Sequence, residues 1–232
     1  MKLLRYLLWM ILPVIVASCN NNQDQSPQME GAGIPLYIEI KIWGDEEKET
    51  VTCLLQVRSH GPNGEAILLE PPAMLELDGE LLQPDSAGFS GIFYEISFPL
   101  EGFGGKHRLR FTSPEGKAYE QEFEYYAFSL SHNLMEEISS GAFELRLEDM
   151  PEDEVRVNLS LVDTSFTTND VNEPVMVRDG SLKVTERMLS KLSKGPVMME
   201  IFREDEQVLQ FGPHRGVLTT TYGLNREFLL VP

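Results

Sequence analysis

The sequence is poor in basic residues. Its 232 residues include 19 Lys and Arg against 37 Asp and Glu, which gives a formal net charge of −18. Such an acidic surface is repelled by nucleic-acid phosphates and by anionic lipid headgroups. DNA and RNA are therefore excluded as expected partners. A membrane attachment would have to come from something other than a basic face.

Cysteine is also scarce. The chain has two cysteines, Cys19 and Cys53, so a framework of several disulfides is excluded. Cys53 lies in the apolar-rich segment TVTCLLQV, and a reactive thiol usually needs a nearby base or positive charge. We expect Cys53 to be a small buried residue of a strand and not a nucleophile.

Long apolar runs are missing from the N-terminus. The run from Tyr6 to Ala17 is twelve residues long, whereas a membrane-spanning helix needs about 20. Basic Lys2 and Arg5 precede this run, and small residues followed by a polar stretch come after it. This order is typical of a secretory signal, here residues 1–18.

Residues 16–19, Val-Ala-Ser-Cys, resemble the lipobox of bacterial lipoproteins. The resemblance implies that Cys19 is lipidated and becomes the N-terminus, and several acyl chains together give stable attachment. The alternative is an ordinary cleaved signal with a chance cysteine. In the lipoproteins that this segment resembles, an aspartate after the cysteine favours the inner membrane, so the resemblance implies that Asn20 favours the outer membrane, with the periplasmic and the surface face both open. Removing Lys2 and Arg5 changes the net charge from −18 to −20.

Residues 19–34 are predicted to form a flexible polar tether, and most of the chain beyond residue 34 is predicted to be strand. Apolar and polar residues alternate in several segments, and Asp78-Gly79 and Asp179-Gly180 predict hairpin turns. Segment 197–211 is predicted to be a hairpin with REDE (203–206) at its tip. Thr185 is predicted to cap one short helix that stops by Gly195. The remaining strand segments are 36–43, 51–57, 92–98, 107–111, 119–128, 142–150, 155–164 and the C-terminal GVLTTTYGLNREFLLV.

The predicted fold class is all-β, with two tandem immunoglobulin-like β-sandwich domains at 35–130 and 131–232, the second with the helix. The polar segment 129–141 marks the boundary, and a single larger sandwich is the alternative. With its lipobox, tether and strand layout, the chain resembles tandem immunoglobulin-like lipoproteins of Bacteroidota-type envelopes. Many of these have no assigned role, so the resemblance implies no functional residue beyond Cys19.

Motifs that carry enzyme chemistry are absent. The sequence has no Gly-x-Ser-x-Gly, phosphate loop, dinucleotide fingerprint or His-Glu-x-x-His. Its four histidines are isolated and expected at strand or loop surfaces: His60, His107, His132 and His214. A non-catalytic protein is therefore favoured. An envelope hydrolase acting on polysaccharide or peptidoglycan would require two carboxylates to face a sugar in a cleft.

Acidic residues gather in three clusters, 45–49, 148–154 and 203–206, each expected at a solvated turn, with calcium as the alternative. A fourth segment, 163–173, offers weak calcium candidates in Asp163, Asn169, Asp170 and Glu173. It lacks the glycine of an EF-hand loop, and such side chains also build turns by bonding their own backbone. The turn interpretation is favoured, and no firm metal site or cofactor is predicted.

These observations predict a membrane-anchored binding or assembly module with an envelope protein partner. A glycan- or calcium-binding surface module is a subtype. Its aromatic candidates are Trp43, Tyr125 and Tyr126, unless these residues fill the core. The hydrolase and a purely structural spacer are the other hypotheses, since sandwich folds host all of them.

Overall fold

The computed structural model describes residues 33–87, 91–163 and 170–232. These residues form sixteen strands and one short helix, so the predicted all-β class is confirmed. The elements are β1 (Leu36–Asp45), β2 (Thr50–Ser59), β3 (Met74–Leu77), β4 (Glu80–Leu81), β5 (Gln83–Ala87), β6 (Gly91–Pro99), β7 (Gly105–Thr112), β8 (Ala118–Tyr125), β9 (Ser129–Leu130), β10 (Glu137–Ser139), β11 (Phe143–Glu148), β12 (Glu154–Asp163), β13 (Val171–Arg178), β14 (Ser181–Val184), α1 (Glu186–Leu189), β15 (Gly195–Phe211) and β16 (His214–Val231).

The first half of the chain, residues 33–130, forms a β-sandwich. One layer is the sheet β4-β3-β7-β8, and the other is the β5-β6-β2-β1-β16 part of a twelve-stranded sheet. Contacts between the layers include the rings of Phe111 on β7 and His214 on β16, whose centroids lie 5.4 Å apart. Tyr125 on β8 donates a hydrogen bond of 3.1 Å to the carbonyl of Thr221 on β16. Alternation in the central strands β1 and β2 sends every second side chain into this core.

The second half, residues 131–232, continues the large sheet. From β16 its order is β15-β12-β13-β14-β11-β9, and β10 pairs with the far end of β16. β11 is not a neighbour of β16 in this order, yet the ring of Phe143 on β11 lies 6.1 Å from that of Phe228 on β16. The sheet therefore folds back on itself, and its two faces enclose a second part of the core.

The hairpin of β15 and β16 runs through both halves. β16 pairs in parallel with β1 over Arg215–Tyr222 and with β10 over Leu229–Val231. The C-terminal strand thus belongs to the sheets of both halves. The predicted boundary between residues 130 and 131 stays a prediction, and this pairing crosses it.

The predicted hairpin within 197–211 is wrong. β15 is one continuous strand, and the turn follows it at Gly212 and Pro213. Residues 203–206 pair in register with Tyr222–Thr219 of β16, so the acidic cluster lies in mid-strand. β15 pairs with β12 only through Val197–Phe202, so beyond that point β16 is its one neighbouring strand among the described residues. Charges on such an edge discourage pairing with other chains.

Several local predictions are confirmed. Both Asp-Gly turns have positive φ at both residues, as the two-residue hairpin turn requires: Asp78 (52°) and Gly79 (88°), Asp179 (47°) and Gly180 (74°). The side chain of Thr185 accepts a hydrogen bond from the amide of Met188 and caps the four-residue helix α1. Cys53 is fully buried in the core.

Two histidines expected at the surface, His107 and His214, are instead buried in the core of the sandwich formed by the first half and β16. The His107 ring lies 4.1 Å from that of Phe103 and 5.3 Å from that of Phe123. Its Nδ1 lies 2.6 Å from Asp78 Oδ2, so it holds the first Asp-Gly turn in place. His214 accepts a hydrogen bond from the amide of Leu36 through Nδ1. These contacts hold both rings inside an aromatic core, where Nε2 of His214 is buried without a hydrogen-bond partner among the described residues.

The predictions for the N-terminus lie outside the described residues. These are the signal peptide, lipidation of Cys19 and nearly all of the tether 19–34. Within the part of the chain that the structure describes, no helix has the length and apolar character needed to cross a membrane.

Candidate binding groove

A groove runs along β16 on the outer face of the large sheet. Side chains at every second position of β16 are buried in the core: Leu218, Thr220, Tyr222 and Leu224. Alternation therefore places the residues between them, Thr219, Thr221 and Gly223, on the outer face. These side chains are small, whereas both neighbouring strands carry larger ones there. A central strand with small residues between two strands with large residues leaves a channel above the central strand.

The walls come from different parts of the chain. β1 contributes Lys41 and Trp43, and the turn after it contributes Glu46 and Glu47. The groove has a volume of about 790 Å³. The full lining is Lys41, Ile42, Trp43, Gly44, Asp45, Glu46, Glu47, Asn172, Glu200, Phe202, Glu204, Thr219, Thr221, Gly223 and Asn225. Both halves of the chain therefore build the same groove.

Trp43 lies in a row of polar residues across the sheet. It pairs with Thr52 on β2 and with Thr221 on β16, and Thr221 in turn pairs with Glu204 on β15. On the far side, the hydroxyls of Thr52 and Ser97 lie 3.4 Å apart. Trp43 is 37% exposed, far more than an indole in a core. The row thus presents an aromatic face flanked by hydroxyls and a carboxylate.

A glycine keeps the floor of the groove low. Gly223 pairs directly with Phe202 of β15. A Cβ atom added at Gly223 would lie 3.1 Å from Cβ of Phe202, which is tighter than ordinary contact. Only a residue without a side chain lets Phe202 approach β16 this closely.

The groove lies where the sheet changes neighbours. β16 loses β1 after Tyr222 and gains β10 only at Leu229, so in between β15 is its one partner strand among the described residues. A brace crosses this gap: Arg226 donates two hydrogen bonds, of 2.8 and 3.0 Å, to the carboxylate of Glu46. The hydrogen bond to Glu46 raises the pKa of Arg226. This bidentate pair fixes the turn after β1 against the second half.

The groove is strongly acidic. Its lining carries five carboxylates and one ammonium group. That ammonium, on Lys41, already pairs with Glu39 at 3.0 Å. Glu47, Glu200 and Glu204 form no ion pair with any described residue. The uncompensated charge of the groove is therefore negative.

Asp45 at the edge of the groove has a partner of its own. Its carboxylate lies 2.7 Å from Nζ of Lys48, three residues later in the same turn. The hydrogen bond from Lys48 lowers the pKa of Asp45. Both side chains are at the surface, so this pair orders the turn more than it stabilises the fold.

The structure separates the three aromatic candidates. Trp43 lines the groove, whereas Tyr125 is 1% exposed and fills the first-half core. Burial raises the pKa of Tyr125. Tyr126 lies outside the groove, with the guanidinium of Arg203 4.9 Å from its ring centroid and a hydrogen bond to Glu124. One of the three is thus placed to meet a ligand.

The calcium candidates in 163–173 have other partners. Asp163 is buried, and its Oδ2 accepts a hydrogen bond of 2.7 Å from the amide of Ser193. Glu173 pairs with Arg187 at 2.5 Å and with Lys191 at 2.8 Å. The hydrogen bond from Arg187, followed by that from Lys191, lowers the pKa of Glu173 to about 2.

Of the other two candidates, Asp170 is exposed at the start of β13 and Asn169 lies outside the described residues. Across the described ranges, no three His, Cys, Asp or Glu side chains come together as metal ligands. The favoured turn interpretation of 163–173 and its calcium alternative therefore both stay predictions.

Sequence reasoning misses most of the groove. It assigns Phe202, Gly223 and Thr221 only to strands or to a hairpin. Their alternation with Ile201, Tyr222 and Leu224 is the available signal, because it places them on the outer face. The register that brings β1 beside β16 has no local signature.

No family model matches the chain, and no curated protein matches it. Solved structures give weak likenesses. Escherichia coli alpha-2-macroglobulin activated by porcine elastase aligns with 84% of this chain at 13% identity and a TM-score of 0.29, and this chain spans 20% of its length. Tandem Ig repeats of Dlar align with 82% at 9% identity and a TM-score of 0.23, with 99% of that chain covered.

The SGBP-B protein of a Bacteroides ovatus mixed-linkage glucan utilization locus, in complex with a mixed-linkage heptasaccharide, aligns with 81% of this chain. The identity is 10%, the TM-score is 0.22 and 60% of that chain is covered. Scores at this level carry no inference about what the present chain binds. The groove must be interpreted from its own residues.

Proposed function

We propose that the chain is a non-catalytic binding module of the cell envelope, which holds an extended ligand in the groove along β16. One observation carries the proposal: an exposed tryptophan, Trp43, lies beside hydroxyl and carboxylate side chains in an open channel of about 790 Å³. Open concave sites with an aromatic face and a few polar groups are typical of ligand binding.

The proposed anchor is the lipid on Cys19, with the outer membrane as the proposed site because of Asn20. A tether of about fifteen residues spans roughly 20 Å, which lets the sandwich stand off the headgroups. The groove would then face ligands or partner proteins in the envelope. The acidic body cannot adhere to anionic lipid by charge, so the lipid would supply the whole attachment.

The test of the groove is site-specific photo-crosslinking in cells that express the full chain. A photoreactive amino acid replaces Thr221 in the groove floor or, as the matched control, Val208. Val208 lies on β15, on the same outer face of the sheet as Thr221 but outside the groove, and it is 70% exposed. We expect adducts from position 221 and none from 208. Equal adducts at both positions, or none at 221, would contradict the proposal.

The anchor is tested separately with Cys19→Ala. We expect the unmodified chain in the membrane fraction and the variant in the soluble fraction. Membrane association that survives Cys19→Ala would refute the lipid anchor without touching the groove. The full chain with Val208→Ala serves as a control that keeps its anchor.

A further inference from the structure

We infer that the ligand of the groove is an uncharged polysaccharide whose chain lies along β16. The inference rests on the proposed binding function and adds the chemical class of the ligand. Three features of the groove lead to it: its charge, its hydrogen-bonding groups and its length.

The charge excludes anionic ligands. Glu47, Glu200 and Glu204 are exposed in or beside the channel and have no ion-pair partner among the described residues, while Lys41 is already engaged by Glu39. Arg226, next to Asn225 of the lining, is held by Glu46. No described cation is left in the lining to meet a sulfate, phosphate or uronate. A polyanion would be repelled from this groove.

The hydrogen-bonding groups match hydroxyls. A sugar hydroxyl both donates and accepts, and the lining offers Thr219 and Thr221 hydroxyls, Asn172 and Asn225 amides, and carboxylates that only accept. The indole of Trp43 supplies a flat apolar surface for the C–H face of a sugar ring. A sugar ring with equatorial hydroxyls requires an aromatic face together with groups that donate and accept hydrogen bonds. Neighbouring strands of the groove supply both.

The length fits a chain. From Thr219 to Asn225 the groove follows six residue steps of β16, about 20 Å. The lining comes from one face of a sheet and from a turn, so the channel is not closed over its ligand. Several sugar rings of a long polymer can therefore occupy it, and the ligand need not present an end.

A cationic peptide is the competing ligand, because acids and an indole also attract lysine and arginine. The structure favours the glycan. An extended peptide joins a sheet through backbone groups at an edge, but the open flank of β16 after Tyr222 is crossed by the Glu46–Arg226 pair, and the lining is mainly side chains on a sheet face. Two threonines and two asparagines add little to the binding of a cation but are suited to hydroxyls.

The experiment uses the full chain with Trp9→Phe. The sequence has two tryptophans, so Trp43 then becomes the sole tryptophan, and its emission reports contact in the groove. The probes are pairs that differ in charge: dextran and dextran sulfate, and polygalacturonate in its methyl-esterified and its free-acid form. Hydroxyethyl cellulose, galactomannan and oligolysine complete the set. We expect a fluorescence shift with at least one neutral polymer, at least tenfold weaker binding of its charged counterpart, and little change between low and high salt.

Variants tie the signal to the groove. In affinity electrophoresis through the neutral polymer, we expect Trp43→Ala to bind at least tenfold more weakly and Trp43→Phe to keep part of the affinity. Val208→Ala should migrate like the unmodified chain. Retention that is the same in Trp43→Ala would overturn the assignment.

The outcomes separate this inference from the proposed function. A Trp43 shift with oligolysine or with polyanions, and none with neutral polymers, would overturn the inference and leave a binding module. The absence of a Trp43 fluorescence shift with every probe would overturn the inference. If photo-crosslinking nevertheless gave adducts at position 221, the groove would still have a ligand. The absence of both a fluorescence shift and an adduct at position 221 would refute the inference and the proposed function together.

Discussion

Gly44 is the most constrained glycine next to the groove, and its replacement by alanine gives a sharp test of the packing. Gly44 lies on β1 between Trp43 and the turn that contains Glu46, the partner of Arg226. A Cβ atom at this position would lie 2.6 Å from Cδ2 of Tyr222 and even closer to the hydroxyl of Tyr125. Ordinary carbon–carbon contacts are about 3.5–4.0 Å. Both tyrosines would have to move by roughly 1 Å to restore ordinary contact.

The cost has two parts. Overpacking a core by one methyl group costs about 1–3 kcal/mol. If Tyr125 moves, its hydrogen bond to the Thr221 carbonyl is lost, which costs about 0.5–1.5 kcal/mol more. We expect Gly44→Ala to lower the free energy of unfolding by about 2–4 kcal/mol. For a chain of this size that corresponds to a fall in Tm of about 5–15 °C.

Chemical denaturation and thermal melts of four variants check this: Gly44→Ala, Gly104→Ala, Tyr125→Phe and the double variant of Gly44→Ala with Tyr125→Phe. Gly104→Ala is the matched control, because nothing lies within 4 Å of a Cβ atom there, and we expect a change below about 0.5 kcal/mol. In the Tyr125→Phe background the nearer obstacle is gone, so Gly44→Ala should cost about 1 kcal/mol less than in the unmodified chain. The reasoning fails if Gly44→Ala is neutral, or if its cost is the same in both backgrounds.

Three further predictions concern other parts of the fold. In a Cys19→Ser chain, Cys53 should resist thiol reagents until denaturant is added, because its side chain is fully buried and burial raises its pKa to about 12; rapid labelling of the native chain would contradict this. Glu173→Gln should lower stability by less than about 1 kcal/mol above pH 4.5. Since the pKa of Glu173 falls from 4.5 to about 2 on folding, that difference should vanish as the pH drops through this window, and denaturant midpoints that differ equally at pH 2 and pH 7 would refute it. Arg226→Met and Glu46→Gln should each lower stability by about 1 kcal/mol, and the double variant should cost little more than either, as a double-mutant cycle measures.

Local structure was largely predictable from the sequence. The alternation Leu36, Ile38, Ile40, Ile42 marks β1 because a buried face recurs at every second residue. The Asp-Gly pairs mark turns because both positions need positive φ, which Asp tolerates and Gly adopts at no steric cost. Each of these signals lies within a few neighbouring residues.

The error at 203–206 shows where local signals fail. Four consecutive charged residues resemble a solvated turn, and turns and exposed edge strands share this composition. What decides between them is a long-range contact: β15 pairs with β16 along its whole length, and the pairing extends the strand through the charges. β16 has the alternation of buried and outward-facing residues, and the acidic segment of β15 is extended because it pairs with β16.

The groove was half predictable. Parity along β1 places Trp43 on the face of Glu39 and Lys41, opposite the four buried aliphatic residues, so its exposure followed from the sequence. Parity on β16 likewise places Thr219, Thr221 and Gly223 on one face. What the sequence does not contain is the register of β1 against β16, two strands at opposite ends of the chain. Without that register, an exposed tryptophan and a run of threonines remain unrelated observations.

The same register explains why a groove exists at the junction of the halves. A hairpin of two strands, 17 and 18 residues long, is longer than either half needs, so its middle passes from one set of neighbours to the other. At that point β1 ends, β10 has not begun, and the sheet has no described strand to cover the flank of β16. The Glu46–Arg226 pair spans this opening and holds Trp43, from the first half, within one lining with Glu200 and Asn172 from the second. A ligand along β16 would therefore contact both halves at once and gain affinity from their fixed geometry, because no domain closure is needed to assemble the site.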